Sequence, residues 1–87
     1  MNTDKFCKLF EDERGQVLVI LDEDEPKLNI KFRVLDGGAY MSVGLEFKGK
    51  DDDAQWKAAE AALNNINSER AFSIRNKAMG DLLGDIR

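Results

Sequence analysis

Two runs of carboxylates are the residues of this 87-residue chain best placed to do chemistry. The first is "DEDE", residues 22–25, and the second is "DDD", residues 51–53. Clustered carboxylates can bind a divalent cation, work as acid and base, or attract a basic partner. Neither run has the D-x-[DN]-x-[DN]-G spacing of a calcium loop, and without a histidine the chain lacks a common zinc ligand. We therefore do not expect a metal site.

Little in the chain points to catalysis. The absence of histidine excludes an imidazole base and a Ser-His or Cys-His pair. The glycine-containing stretch "GGAYMSVG", residues 37–44, lacks the lysine and the glycine spacing of a P-loop. Paired carboxylates would need a walled pocket, for which so short a chain has little volume. We expect a protein that is not an enzyme and uses no cofactor.

Composition predicts one small globular domain, residues 1–87. Apolar residues make up 43% of the chain and charged residues 34%, which is typical of a soluble fold. No apolar run approaches the ~20 residues that span a bilayer, and the N-terminus "MNTDKFCKLFEDERG" is acidic where a signal peptide is apolar. The single cysteine, Cys7, can form no internal disulfide and is expected to be a small buried hydrophobe. These features predict a cytoplasmic protein.

Hydrophobic spacing predicts the first half of the fold. Thr3 is placed to cap a helix over residues 4–13, which Gly15 would end. The apolar run "QVLVIL", residues 16–21, predicts a strand. Strict alternation predicts two more strands over residues 27–35 and 39–47, joined by the hairpin signal "DGG". Their inward residues are expected to be Leu28, Ile30, Phe32, Val34, Met41, Val43, Leu45 and Phe47.

Two helical segments follow these strands. The first is predicted to begin after Asp51 or Asp52, with Trp56, Ala59, Leu63 and Ile66 facing the sheet. "NNINS", residues 64–68, weakens it, and Ser68 can start a second segment whose apolar side carries Phe72, Met79, Leu83 and Ile86. The predicted class is α+β in the order α-β-β-β-α-α, an antiparallel three-stranded meander with helices packed on one face.

This topology brings the two acidic runs together. In a meander, the turn after the first strand lies at the same end of the sheet as the exit from the third strand. We call the resulting surface the acidic end; it consists of Asp22, Glu23, Asp24, Glu25, Asp51, Asp52 and Asp53. One interpretation is purely local, since acids cap helices and form turns. Capping needs only one carboxylate, however, and the cluster creates a negative field that could steer a basic partner.

The face of the sheet away from the helices offers alternative functions. Lys31, Arg33 and Tyr40 are predicted to lie there, and two cations beside an aromatic ring can hold single-stranded nucleic acid. The strand "VLVIL" is apolar on both sides, so either Val17 and Val19 or Leu18 and Ile20 should face outward. An exposed apolar strip of this kind suggests a homodimer or a partner surface.

The stretch "KFRVLDGGAYMSVGLEFKGKDDDAQWKAAEAAL", taken with the predicted order α-β-β-β-α over residues 3–67, resembles the double-stranded RNA-binding domain. Members of that family carry lysines at the start of the C-terminal helix, where they contact phosphates. The matching positions here are Asp51, Asp52 and Asp53. The resemblance therefore implies the fold, with a phosphate-binding surface whose charge is inverted.

Small size, acidity and the mixed helix and sheet order are also similar to a class of phage-encoded inhibitors that includes anti-CRISPR proteins. Some of these place carboxylates where an enzyme binds nucleic-acid phosphates. This similarity implies an inhibitor or regulator that mimics nucleic acid and docks its acidic end on a basic, nucleic-acid-binding surface of another protein. Direct binding of nucleic acid is not expected from such a surface.

Overall fold

The described part of the chain forms a four-stranded antiparallel sheet followed by two helices. A computed structural model describes residues 6–33 and 40–86, the side chains of 82–86 excepted. The strands lie side by side in chain order. The elements are β1 (Cys7–Asp12), β2 (Gly15–Leu21), β3 (Lys27–Arg33), β4 (Tyr40–Glu46), α1 (Asp52–Asn65) and α2 (Ser68–Ile86). The predicted α+β class and the two C-terminal helices are confirmed.

The prediction of an N-terminal helix is wrong. Cys7–Asp12 is instead an edge strand that pairs with β2 along its whole length, from Cys7↔Ile20 to Asp12↔Gly15. The helix-like spacing of its apolar residues is overridden by this pairing, which satisfies the main chain of β2 on that side. Gly15 does not end a helix; with φ of 117° it closes a two-residue turn into β2. Thr3, the expected helix cap, lies outside the described residues.

The alternation predicted for β3 and β4 is confirmed, and the predicted strand β2 has its buried residues at every second position. Val17, Val19 and Leu21 pair with Phe32, Ile30 and Leu28 and face the helices. Leu18 and Ile20 are the residues of β2 that face outward. On β4, Met41, Val43 and Leu45 lie on the helix side of the sheet and are half-buried. The predicted "DGG" hairpin and the inward position of Val34 lie outside the described residues.

The core lies between one face of the sheet and the two helices. Ala59 and Leu63 from α1 and Ala71 and Phe72 from α2 are buried. They pack on six buried residues of the sheet, namely Val17, Val19, Leu21, Leu28, Ile30 and Phe32. The predicted stripe on α1 is confirmed, with Trp56 and Ile66 half-buried at its margins. No helix in the described part of the chain is both long enough and apolar enough to cross a membrane.

Side chains satisfy the main-chain groups at the helix ends. The Asp51 carboxylate accepts a hydrogen bond of 2.8 Å from the Ala54 amide and caps α1. At the other end of α1, Lys8 Nζ donates to the carbonyls of Asn64 and Ile66, at 2.8 and 3.3 Å. This contact explains why a lysine occupies an inward position of β1: its charge stabilises the carbonyl end of the helix.

An arginine cluster joins α2 to the β1–β2 turn. The guanidinium carbons of Arg14 and Arg75 lie 4.1 and 4.7 Å from the centre of the Phe72 ring. Arg75 also donates a 2.5 Å hydrogen bond to the Arg14 carbonyl. Arg14 pairs with Asp12 at 2.6 Å, and its guanidinium lowers the pKa of that carboxyl. The edge strand is thereby attached to the helical layer through its turn.

Candidate functional site

The register of β3 and β4 places both acidic runs at one end of the sheet. Lys27, the first residue of β3, pairs with Glu46, the last residue of β4. The turn of residues 22–26 leads into Lys27, and residues 47–51 lead from Glu46 into α1. The acidic end therefore combines two segments that are distant in sequence. Six of its seven acidic residues are exposed and Asp22 is half-buried.

Asp22 organises the first acidic segment. Its carboxylate accepts hydrogen bonds from the amides of Asp24 and Glu25, at 2.8 and 2.9 Å. Its second oxygen accepts a 2.9 Å bond from the side-chain amide of Asn29. These bonds lower the pKa of Asp22, with the Asn29 bond as the largest cause. The ionised form of the Asp22 carboxyl is therefore the form that these bonds favour.

We expect the Asp22 carboxyl to titrate below its ordinary pKa of 3.8. A pKa lowered by folding means that the carboxylate stabilises the fold above its ordinary pKa and that this contribution is lost as the pH falls through the lowered value. An NMR titration of the carboxyl carbon measures the midpoint. Asn29→Ala removes the largest cause and should move the midpoint of Asp22 upward; an unchanged midpoint would contradict the assigned bond.

The second acidic segment is fixed by close packing against α1. A Cβ atom on Gly49 would lie 2.9 Å from the Gln55 nitrogen and 3.0 Å from Ala54 carbon atoms. The connection therefore approaches the first helical turn more closely than a side chain would permit. Asp51 caps this turn, and Asp53 forms an exposed ion pair of 3.1 Å with Lys57. Asp52 lies in the first turn, where its charge is favourable to the helix dipole.

Some carboxylates of the acidic end stabilise the fold locally, and others remain available to a partner. Four of them make local contacts: Asp22 holds a turn, Asp51 caps α1, and Glu25 and Asp53 pair with lysines. Glu25 lies 3.0 Å from Lys27 and raises the pKa of that lysine. In the part of the chain that the structure describes, the other three carboxylates make no side-chain hydrogen bond or ion pair. They are Glu23, Asp24 and Asp52.

The carboxylates of the acidic end are spread over a surface. Among the described residues, no group of three or more histidine, cysteine, aspartate or glutamate side chains is arranged to hold a metal ion. All seven acidic residues belong to this described part. A surface of separated charges can contact several cations of a partner at once.

The outward face of the sheet places Lys31, Arg33 and Tyr40 together, as their alternation predicts. Arg33 pairs directly with Tyr40, and Lys31 pairs with Ser42 one row away. The Arg33 guanidinium lies 5.1 Å from the centre of the Tyr40 ring, and its Nε donates a 3.2 Å bond to the phenol oxygen. Tyr40 remains 65% exposed, so this pair presents a cation and an aromatic ring to solvent.

An apolar groove of about 220 Å³ lies between β4 and the helices. Leu28, Leu45 and Phe47 form its sheet side, and Ile66 and Ile74 form part of its helix side. Among the described residues that line the groove, Arg70 is the single charged one. Its described lining has no acid–base pair and includes none of the acidic residues of the candidate site.

Sequence reasoning missed the arginine cluster on Phe72 and the capping role of Lys8, because both join segments far apart in the chain. No family model, no curated protein and no solved structure matches this sequence or its fold. The residues of the acidic end and of the outward face must therefore be interpreted from their own geometry and charge.

Proposed function

We propose that this chain is a non-catalytic interaction module that docks its acidic end on a basic surface of a partner protein, a surface that otherwise binds nucleic acid. The observation that carries the proposal is the pairing of Lys27 with Glu46. That register assembles two distant acidic runs into one surface at the end of a well-packed sheet.

The distribution of contacts supports a surface that is fixed in place and still available. Asp22 and Asp51 bond to main-chain amides and hold their two segments rigid. Glu23, Asp24 and Asp52 are exposed and make no side-chain contact in the described part of the chain. A partner would thus meet charges carried on a main chain that is held before binding, which reduces the entropy that association costs. Separated carboxylates on such a main chain can replace phosphates on a basic surface.

Competition for an arginine-rich peptide tests the proposal. The peptide is bound to a fluorescent single-stranded oligonucleotide, and the wild-type chain should displace the oligonucleotide and lower its anisotropy. Displacement should weaken steeply as salt is added, because screening acts on exposed charges. A variant with Glu23→Gln, Asp24→Asn and Asp52→Asn should compete at least tenfold less well. Its fold should be retained, since none of the three side chains has a hydrogen bond or an ion pair to lose within the described residues.

A matched control separates location from net charge. Glu13→Gln, Glu60→Gln and Asp81→Asn remove the same number of charges from exposed positions elsewhere on the described chain. This control should compete as the wild type does. Equal losses in the two variants would mean that only total charge matters, and the acidic end would not be the site. Amide shifts confined to residues 22–25 and 51–53 on adding the peptide would map the contact directly.

The Arg33–Tyr40 pair favours a second candidate, direct binding of single-stranded nucleic acid on the outward face. Its stacked geometry, with the ring and the cation both exposed, is suited to a base and a phosphate. The same oligonucleotide without the peptide decides between the two. A rise in anisotropy that Tyr40→Ala and Arg33→Ala abolish would support this candidate, whereas the interaction module predicts no rise.

A further inference from the structure

We propose that two copies of this chain pair along β1, antiparallel and with Leu9 opposite Leu9, so that their two sheets become one continuous sheet. This inference does not depend on the acidic end. Two large apolar residues are exposed at the edge of the sheet. Leu9 is 57% exposed and Phe6, just before β1, is 52% exposed. The remaining large exposed hydrophobic residue of the described chain, Tyr40, lies on the opposite edge strand.

The apolar surface continues from the edge into the sheet. Leu9 pairs with Leu18 on the outward face, and Ile20 lies in the next row of the same face. Both Leu18 and Ile20 are half-buried. The patch begins in the sheet and ends at an edge where no other described strand lies. Another strand of the same kind would complete it by placing its own Leu9 and Leu18 beside it.

The main chain of β1 is arranged for such pairing. The Leu21 amide donates a 2.8 Å bond to the Phe6 carbonyl, so the main-chain carbonyl of Phe6 points toward β2. Residues of an antiparallel strand alternate between facing one neighbour and facing the other. The amide and carbonyl groups of Leu9 and Glu11 therefore face the free edge, where no strand of the described chain lies. An edge of this kind is a template for a second strand.

The side chains select the register. Leu9 and Glu11 face outward on the sheet, so a register that pairs outward residues with one another keeps all four helices of the two copies on the same face. Alignments centred on Lys8 or on Glu11 place like charges opposite each other, which is destabilising. An alignment centred on Phe10 places Leu9 against a carboxylate. Centring on Leu9 brings the two exposed leucines together.

The charges already engaged within each copy support the same choice. The Phe10 alignment would also place Lys8 opposite Asp12, which is attractive in principle. However, Lys8 already donates to two carbonyls of the α1 terminus, and Asp12 already holds Arg14 at 2.6 Å. Antiparallel pairing also places the two acidic ends at opposite ends of the joined sheet. The repulsion between the two copies, each with a net charge of −4, is therefore weaker than if the acidic ends lay side by side.

Sedimentation equilibrium from micromolar to several hundred micromolar tests self-association. The wild-type mass should rise to that of two copies, and Leu9→Lys, which places two ammonium groups at the symmetry axis, should remain a single copy throughout. Tyr40→Lys, at the other edge strand, is the matched control and should associate as the wild type does. The proposal fails if the wild type stays a single copy, if Leu9→Lys associates, or if Tyr40→Lys does not.

Cross-linking tests the register and covers the case in which Leu9→Lys fails to fold. In a Cys7→Ser background, Leu9→Cys should oxidise to a covalent dimer, because hydrogen-bonded antiparallel partners are about 5.5 Å apart, within disulfide range. Glu11→Cys in the same background should cross-link at least tenfold more slowly. Faster cross-linking at Glu11 than at Leu9, or none at either, would overturn the proposed register.

Discussion

Replacing Gly49 with alanine is expected to lower the free energy of unfolding by about 1–3 kcal/mol, in the range of other overpacking substitutions. The new methyl group would lie 2.9 Å from the Gln55 nitrogen and 3.0 Å from the Ala54 carbonyl carbon. These are atoms of the first turn of α1, which cannot move without breaking helical hydrogen bonds. Positive φ is found in the described residues at Gly15, so the cost at Gly49 is steric. Urea denaturation of the purified variant measures it.

Gly80 provides the matched control for this substitution. It lies inside α2, and a methyl group there would meet no atom within 4 Å. Gly80→Ala should therefore raise the free energy of unfolding by about 0.5–1 kcal/mol, the usual gain from removing a glycine inside a helix. If Gly49→Ala were as stable as Gly80→Ala, the connection before Asp51 would not be packed against α1. The second acidic segment, residues 51–53, would then not be fixed by packing of this connection against α1.

The central part of the fold could be predicted because its pattern is local. Alternation along β3 and β4 assigns each side chain to a face, and once Leu28 faces inward, so do Ile30 and Phe32. The convergence of the acidic runs follows from the same information, because a meander determines which loops share an end. The start of α1 after Asp51 or Asp52 and the start of α2 at Ser68 are equally local predictions.

The edge strand could not be predicted in the same way. In β1 the inward positions are Lys8, Phe10 and Asp12, of which only one is apolar. The inward lysine makes sense only through its bond to Asn64, 56 residues further along the chain. Local spacing favours a helix here, while the unpaired edge of β2 favours a strand, and the tertiary pairing decides. The helix that the resemblance to the double-stranded RNA-binding domain implies in this segment is accordingly a strand.

The roles within the acidic end were only partly predictable. The pairing of Asp53 with Lys57 is the familiar spacing of four along a helix. The bond from Asn29 to Asp22 crosses from a strand to a turn and depends on the outward position of Asn29. The sequence therefore predicts where the acids gather. It does not predict which of them are already used by the fold and which remain available to a partner.

The largest expected effect is at Phe72, which is 1% exposed and lies against two guanidinium groups. Phe72→Ala should lower the free energy of unfolding by about 3–5 kcal/mol, as for other buried phenylalanines. Phe72→Leu keeps most of the apolar volume and removes the aromatic ring. Its cost should therefore be smaller than that of Phe72→Ala, and it should include the loss of the attraction to Arg14 and Arg75.

A double-mutant cycle isolates the attraction between the Phe72 ring and Arg75. Phe72→Leu and Arg75→Met, measured singly and together by urea denaturation, should give a coupling energy of about 0.5–2 kcal/mol. Phe32 is equally buried, and no guanidinium of the described chain lies over its ring. The cycle of Phe32→Leu with Arg75→Met should accordingly be additive within about 0.5 kcal/mol. Equal coupling in the two cycles would mean that Arg75 acts on the core in general, and that it is not attracted specifically to the Phe72 ring.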